Sequence, residues 1–183
     1  LRELWLDKTT ISDQGLQQIM QIKTLRKLLI RDSRVSLLGV VKLSQAIPRI
    51  EIFFSGGRLQ TGRLELDPPL VEADLGSLKG AVNIRVLDLA GLRVSDTAIS
   101  SLARLPGLKS LVLKNCRITD NGVRELTKLG RLESIDLSRT QLTNNGLATL
   151  SKLKNLKVLK LGYLPITRDG MVHIAALSNL TEL

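Results

Sequence analysis

Five positions spaced 24 residues apart, Ile84, Leu108, Leu132, Leu156 and Leu180, open the same pattern. Each copy reads L-x-x-L-x-L, then two residues, a small residue, and two residues later a β-branched residue or Leu. Ser, Thr, Asp or Asn follows, then Gly and an apolar run. Residues 108–131 (LKSLVLKNCRITDNGVRELTKLGR) show it most completely. A recurrence of this length constrains the fold more than any local propensity. One unit cannot bury its apolar face alone, and stacked copies bury it against each other, so the expected architecture is a solenoid.

Within a unit the local signals are consistent. Leu1, Leu4 and Leu6 alternate, as in a short strand with one buried face. Ile11 re-enters the core. Ser12 is placed to cap a helix through its hydroxyl, and Gly15, Leu16, Ile19 and Ile22 then follow helical spacing. The expected units are 1–24, 25–46, 47–83, 84–107, 108–131, 132–155 and 156–179, with 180–183 beginning another. The third unit takes Ile47, Ile50 and Ile52 as its strand positions and carries an insertion at about 56–68 (GGRLQTGRLELDP). Gly56-Gly57 and Pro68-Pro69 punctuate that insertion. Leu70, Leu75, Leu78 and Ala81 restore the register, falling 24 residues before Val94, Ile99, Leu102 and Leu105. Arg63-Leu64-Glu65-Leu66 is placed to pair as a short strand. Ser95, Thr119, Thr143 and Thr167 form a cap column, and Ala98, Gly122, Gly146 and Gly170 a column of small residues. Gly is a poor helix former, so its recurrence implies close packing against the neighbouring turn. An array normally ends in polar capping units. Both ends lack them, so the expectation is one array within a longer protein.

The pattern resembles leucine-rich repeats. Residues 114–126 (KNCRITDNGVREL) carry the resemblance best. The form L-x-x-L-x-L-x-x-[TC]-x-I-T-D-x-G-L is similar to the cysteine-containing type found in bacterial (planctomycete-like) repeat proteins and in F-box-type substrate receptors. Of that type's two cysteines only the first has a counterpart, Cys116, and no F-box is present, so ubiquitin-ligase function is not carried over. The resemblance implies a curved α/β solenoid, a right-handed superhelix with parallel strands on the concave face and helices on the convex face.

Alternation then gives the exposed face directly. With Leu4 and Leu6 inward, the middle outward column reads Trp5, Leu29, Glu51, Asp88, Val112, Asp136 and Lys160. The next reads Asp7, Arg31, Phe53, Ala90, Lys114, Ser138 and Gly162. The one after reads Lys8, Asp32, Phe54, Gly91, Asn115, Arg139 and Tyr163. Lys27 and Val86 lie at the strand starts. The four aromatic residues of the chain, Trp5, Phe53, Phe54 and Tyr163, all fall in these columns. Aromatic side chains are enriched among interface hot spots, so they are the candidate anchors, with Lys27, Arg31, Lys114, Arg139 and Lys160 as charged neighbours. The alternative is that the Phe pair covers the base of the insertion and that a further repeat covers Trp5.

The formal net charge is +10, with 12 Lys and Arg against 9 Asp and Glu in residues 1–83 and 15 against 8 in 84–183. Arg2, Arg26, Arg85, Lys109 and Lys157 form a basic column on the rim where strands begin. Such an excess favours acidic partners or phosphates; a solvated rim is the plainer reading. Without aromatic residues interleaved in this column, single-stranded nucleic acid is disfavoured. One His (His173) and one Cys (Cys116), far apart, make neither a metal site nor a Cys–His nucleophile pair. No cofactor motif is present, and the Asp column (Asp13, Asp96, Asp120) reads as helix-start chemistry. The single cysteine gives no sign of an oxidising compartment, and no apolar run has the length of a membrane span. The reading is therefore a non-catalytic module that binds a protein partner on the concave face, with no cofactor. Two alternatives stay open: the targeting arm of a larger enzyme such as a kinase or ubiquitin ligase, and a basic rim that binds anionic ligands or nucleic acid.

Overall fold

The computed structural model describes residues 1–68 and 72–183, with backbone alone at 72 and 73. Leu70 and Pro69 lie outside the described residues. The described residues form a nine-stranded sheet, each strand beside its neighbours in sequence: β1 (Glu3–Trp5), β2 (Lys27–Ile30), β3 (Glu51–Phe54), β4 (Gly57–Gln60), β5 (Arg63–Leu66), β6 (Val86–Asp88), β7 (Ser110–Val112), β8 (Ser134–Asp136) and β9 (Val158–Lys160). Among the described residues six short helices pack in chain order behind it: α1 (Asp13–Ile19), α2 (Leu37–Ala46), α3 (Asp96–Leu102), α4 (Asp120–Leu126), α5 (Asn144–Leu150) and α6 (Arg168–Ile174). A 3-10 segment (Glu72–Leu78) takes the place between α2 and α3. The sheet lines the concave side of a leucine-rich repeat solenoid and the helices line the convex side.

One buried row runs across all nine strands: Leu4, Leu28, Ile52, Leu59, Leu64, Leu87, Leu111, Ile135 and Leu159 lie side by side in register. From Leu28 onwards every member is essentially inaccessible. Burying one such side chain stabilises the fold by about 2 kcal/mol. A seven-residue helix is too short to persist alone, so this stacked core holds the helices in place.

The small-residue column has a specific cause. Asp13 accepts hydrogen bonds from the backbone N–H and hydroxyl of Ser36 in the next unit, at 2.8 and 2.5 Å. Asp96 does the same for Thr119 (2.9 and 2.5 Å) and Asp120 for Thr143 (2.9 and 2.6 Å). Asn144 holds Thr167 through both its amide atoms. These carboxylates and the amide lie where a Cβ at Gly39, Gly122, Gly146 or Gly170 would stand. The Asp column is therefore an inter-repeat clamp as well as helix-start chemistry, and at these four positions the absence of a Cβ leaves it room.

The insertion lies within the sheet. β3 pairs antiparallel with β4, β4 antiparallel with β5, and β5 then lies parallel to β6. Two reversals restore the original direction, so the sheet continues without a gap. Leu59, Leu64 and Leu66 point inward and are buried, while Arg58, Gln60, Arg63 and Glu65 alternate with them. The second reversal, Thr61-Gly62, has positive φ at both residues (48° and 80°), the signature of the type I′ hairpin turn.

Candidate functional site

The strand register builds the exposed face from the rows that alternate with the buried one. Its middle row reads Trp5, Leu29, Phe53, Arg58, Glu65, Asp88, Val112, Asp136 and Lys160. At the usual inter-strand spacing this row is roughly 38 Å long. One row nearer the strand starts lie Glu3, Lys27, Glu51, Gln60, Arg63, Val86, Ser110, Ser134 and Val158.

The third unit departs from the sequence expectation. Ile52, and not Ile50, lies beside Leu28, and Phe54 lies beside Ile30. Phe53 is therefore in the middle row with Trp5 and Leu29, Glu51 is one row back beside Lys27, and Phe54 points into the core with 7% of its surface exposed. Phe54 is thereby removed from the exposed candidates. The cause is local. The run Ile47-Pro48-Arg49-Ile50-Glu51-Ile52 imitates L-x-x-L-x-L, but α2 spans ten residues where the other helices span seven, and Ile47 still caps it. Ile50, whose N–H reaches the carbonyl of Ile47 at 3.1 Å, takes the place that Leu25 holds against Ile22.

Around Phe53 three cations converge. The Arg31 guanidinium lies 5.3 Å from the ring centroid, the Lys27 ammonium 5.7 Å and the Arg58 guanidinium 5.9 Å. Trp5, 66% exposed, and half-buried Leu29 continue the apolar strip across β1 and β2. Arg58 also begins a chain of ion pairs over the inserted strands: Arg58 to Glu51 (3.9 Å) and Glu65 (3.4 Å), then Arg63 to Glu65 (2.6 Å) and Asp88 (3.6 Å). Arg58, Arg63 and Glu65 escaped the sequence reading of the face. Their signal was the alternation R-L-Q-T-G-R-L-E-L about a Thr-Gly turn.

Beyond β5 the face is more polar. Val86, Asp88, Val112 and Asp136 are half-buried, and Lys114 and Lys160 are exposed. Asp88 and Asp136 each accept the backbone N–H two residues on, from Ala90 at 3.1 Å and Ser138 at 2.9 Å, so both carboxylates shape the turn that leaves the strand. Lys160 pairs with Glu182 at 3.3 Å.

The turn after the strand explains the outermost column. Lys8, Asp32, Gly91, Asn115, Arg139 and Tyr163 all have φ between 54° and 74°, the left-handed region. Glycine, Asn and Asp enter that region readily, whereas a bulky residue there is a genuine outlier. Arg139 and Tyr163 occupy it side by side. The Arg139 guanidinium stacks 4.3 Å from the Tyr163 ring centroid, and Tyr163 is 82% exposed.

The basic rim contains a carboxylate. Glu133 stands in the same column as Lys109 and Lys157, and both ammonium groups pair with it, Lys157 at 2.9 Å. These two hydrogen bonds hold the Glu133 carboxyl at about 2, well below the usual carboxylate range. Lys109, Arg131, Glu133, Asn155, Lys157 and Asn179 line an open depression of about 510 Å³. Cys116 is buried. Its slot is filled elsewhere by Thr9, Ser33 and Thr140, whose hydroxyls donate to the carbonyl three residues back. The Cys116 thiol reaches the Leu89 carbonyl of the preceding unit at 3.2 Å, and burial pushes it up to about 11. Among the described residues no three His, Cys, Asp or Glu side chains converge, and no helix is long and apolar enough to cross a membrane.

Comparison with known proteins supports the same architecture. A family model described as a leucine-rich repeat matches residues 106–126. No curated protein sequence matches. The chain superposes on the solved structure of internalin C2 from Listeria monocytogenes with a TM-score of 0.59 and 21% identity, covering 99% of this chain and 69% of that one. A second internalin of the same organism, inlF, gives a TM-score of 0.50 at 19% identity, and this chain spans 53% of its length. The internal repeat, the sheet with its stacked helices and these likenesses together make this a leucine-rich repeat protein in fold.

Proposed function

We propose that this chain is a protein-interaction module that engages its partner through the exposed face of the sheet, with no catalysis within these residues. One observation carries the proposal. In a chain with an otherwise aliphatic core, three of four aromatic side chains, Trp5, Phe53 and Tyr163, stand on or at the edge of a single face. Trp and Tyr that stay exposed on a rigid scaffold are strong candidates for hot spots. Leucine-rich repeat proteins are typically interaction scaffolds, and the internalin likeness is consistent with that role. The T/C-x-I-T-D-x-G signature supports placing the repeats in the cysteine-containing type.

The test is a Phe53→Ala/Tyr163→Ala variant with a partner recovered by pull-down. Loss of a hot-spot residue costs about 2 kcal/mol, so affinity falls roughly 30-fold or more. Unchanged affinity in a folded double variant refutes the face. The rim depression supports a second reading, an anionic ligand at Lys109, Arg131 and Lys157. Glu133 already pairs with two of these cations and offsets one of their charges, which weakens it. Steep loss of affinity with salt is its signature. The enzyme-arm alternative uses the same surface, and a catalytic domain in the intact chain is what it requires.

A further inference from the structure

Within the proposed binding face, and resting on that reading, we infer that Lys27, Arg31 and Arg58 around Phe53 form a seat for a carboxylate of the partner. Trp5 and Leu29 beside it take a neighbouring apolar side chain. The occupant is a protein segment in which acidic and aromatic side chains lie close together.

Three like charges lie within 6 Å of one ring centroid. The quadrupole of the ring attracts each of them, but they repel one another and an anion placed among them relieves that repulsion. Of the three, Arg58 alone makes ion pairs among the described residues, with Glu51 and Glu65. Among the described residues Lys27 and Arg31 have no carboxylate within ion-pair distance. Asp7, in the preceding unit, accepts the Arg31 backbone N–H at its Oδ1, at 2.7 Å. Two guanidinium groups offer the planar fork that carboxylates accept in bidentate fashion.

The surroundings narrow the occupant. Glu3 and Glu51 flank Lys27 along the row, and Asp7 and Asp32 lie at the strand ends. A continuous polyanion laid over this region meets those carboxylates, whereas a single carboxylate on a mixed peptide does not. Trp5, Leu29 and Phe53 are register neighbours on three adjacent strands, so the strip is about 10 Å long, matching three residues of extended chain. Nucleic acid fits neither the charge alternation nor the apolar strip.

Trp5 is the sole tryptophan, so its fluorescence reports binding at this place. The probes are a random Glu/Tyr copolymer, poly-Glu and single-stranded oligo-dT, excited so that tryptophan alone emits. The copolymer is expected to shift Trp5 emission saturably, poly-Glu to bind about tenfold more weakly, and oligo-dT not to compete. Losing a charge-assisted contact costs at least about tenfold, so Arg31→Gln/Arg58→Gln weakens the copolymer by that factor. Arg104→Gln/Arg124→Gln, the same charge change at exposed residues on the helical side, stays within about twofold. Equal loss in both double variants, tighter binding of oligo-dT, or no copolymer binding overturns the seat. Binding that survives Arg31→Gln/Arg58→Gln but is lost in Phe53→Ala overturns the seat and leaves the face standing. Binding that no face variant changes removes both. Circular dichroism confirms that each variant is folded.

Discussion

The units carrying β6 to β9 and the segment carrying β3 to β5 reach the same buried row by different chain paths. In the first, each strand is parallel to the last and a helix separates them. In the second, the chain doubles back twice through two-residue turns before β5 rejoins the parallel order. The row itself does not change, since Ile52, Leu59 and Leu64 continue Leu28 into Leu87. The solenoid thus depends on continuity of the apolar row and tolerates a change in the path that supplies it. The exposed side differs more. Phe53 and its cations, with the ion-pair chain, sit on the irregular segment and its neighbour β2, while β6 to β8 present small and acidic residues.

This comparison breaks most sharply at the core. Leu64→Ala in β5 is expected to cost about 2–5 kcal/mol, as much as Leu111→Ala in β7, because both side chains are fully buried in one row. Chemical denaturation measures both. A cost near zero for Leu64→Ala alone makes the inserted strands an appendage.

Glycine gives the next test. Gly122→Ala is expected to destabilise by about 1–3 kcal/mol despite the better helix propensity of Ala, because its Cβ meets the Asp96 carboxylate and Ile118. Gly76, in the 3-10 segment, has open space at its Cβ. Gly76→Ala is therefore neutral or slightly stabilising in the same thermal melt. Equal losses at the two positions contradict the clamp.

Smaller effects sharpen the turns. Thr61 is a β-branched residue at φ 48° in a turn that prefers Asn-Gly. Thr61→Asn is expected to gain about 1 kcal/mol, read as a rise in Tm. A fall contradicts the turn assignment.

The smallest effect is on the rim. The Glu133 carboxyl titrates at about 2 in the folded chain, below its unfolded value. Its contribution to stability is therefore complete above the unfolded value of about 4.3 and is lost as pH falls through about 2. Glu133→Gln should flatten the acid limb of the stability profile in that window, and salt should shrink the difference, since the pairs are exposed. Identical acid limbs contradict the pairing.

Most of the fold was legible because the buried side chains repeat at fixed spacing. The 24-residue period set the strands, the helices and the stacked core. It failed where another run imitated the period. Ile47, Ile50 and Ile52 satisfied the pattern, and only the longer α2 and the pairing of Ile52 with Leu28 show that the register slipped, which took Phe54 off the surface. Residues 56–68 gave turn signals at Gly56-Gly57 and Pro68-Pro69 and a short strand at Arg63–Leu66, but the turn at Thr61-Gly62 went unread, and antiparallel pairing within a parallel array has no periodic signature. The Gly column pointed to close packing without naming the carboxylate behind it. That contact joins residues 26 apart in different units, as Asp13 and Gly39 show. Of the face, Trp5, Leu29, Asp88, Val112, Asp136 and Lys160 fell in the row assigned to them. The left-handed turn under Arg139 and Tyr163 needed backbone angles that a column of letters does not contain.

The central claim is that a protein partner sits on the sheet and not on the helices. Hydroxyl-radical footprinting of the complex tests it directly, because exposed side chains stand on both sides: Trp5 and Tyr163 with the sheet, Met171 and Val172 on α6. The account predicts that Trp5, Phe53 and Tyr163 lose reactivity on binding while Met171 and Val172 keep theirs. Protection of Met171 and Val172 with Trp5 and Phe53 unchanged would contradict it.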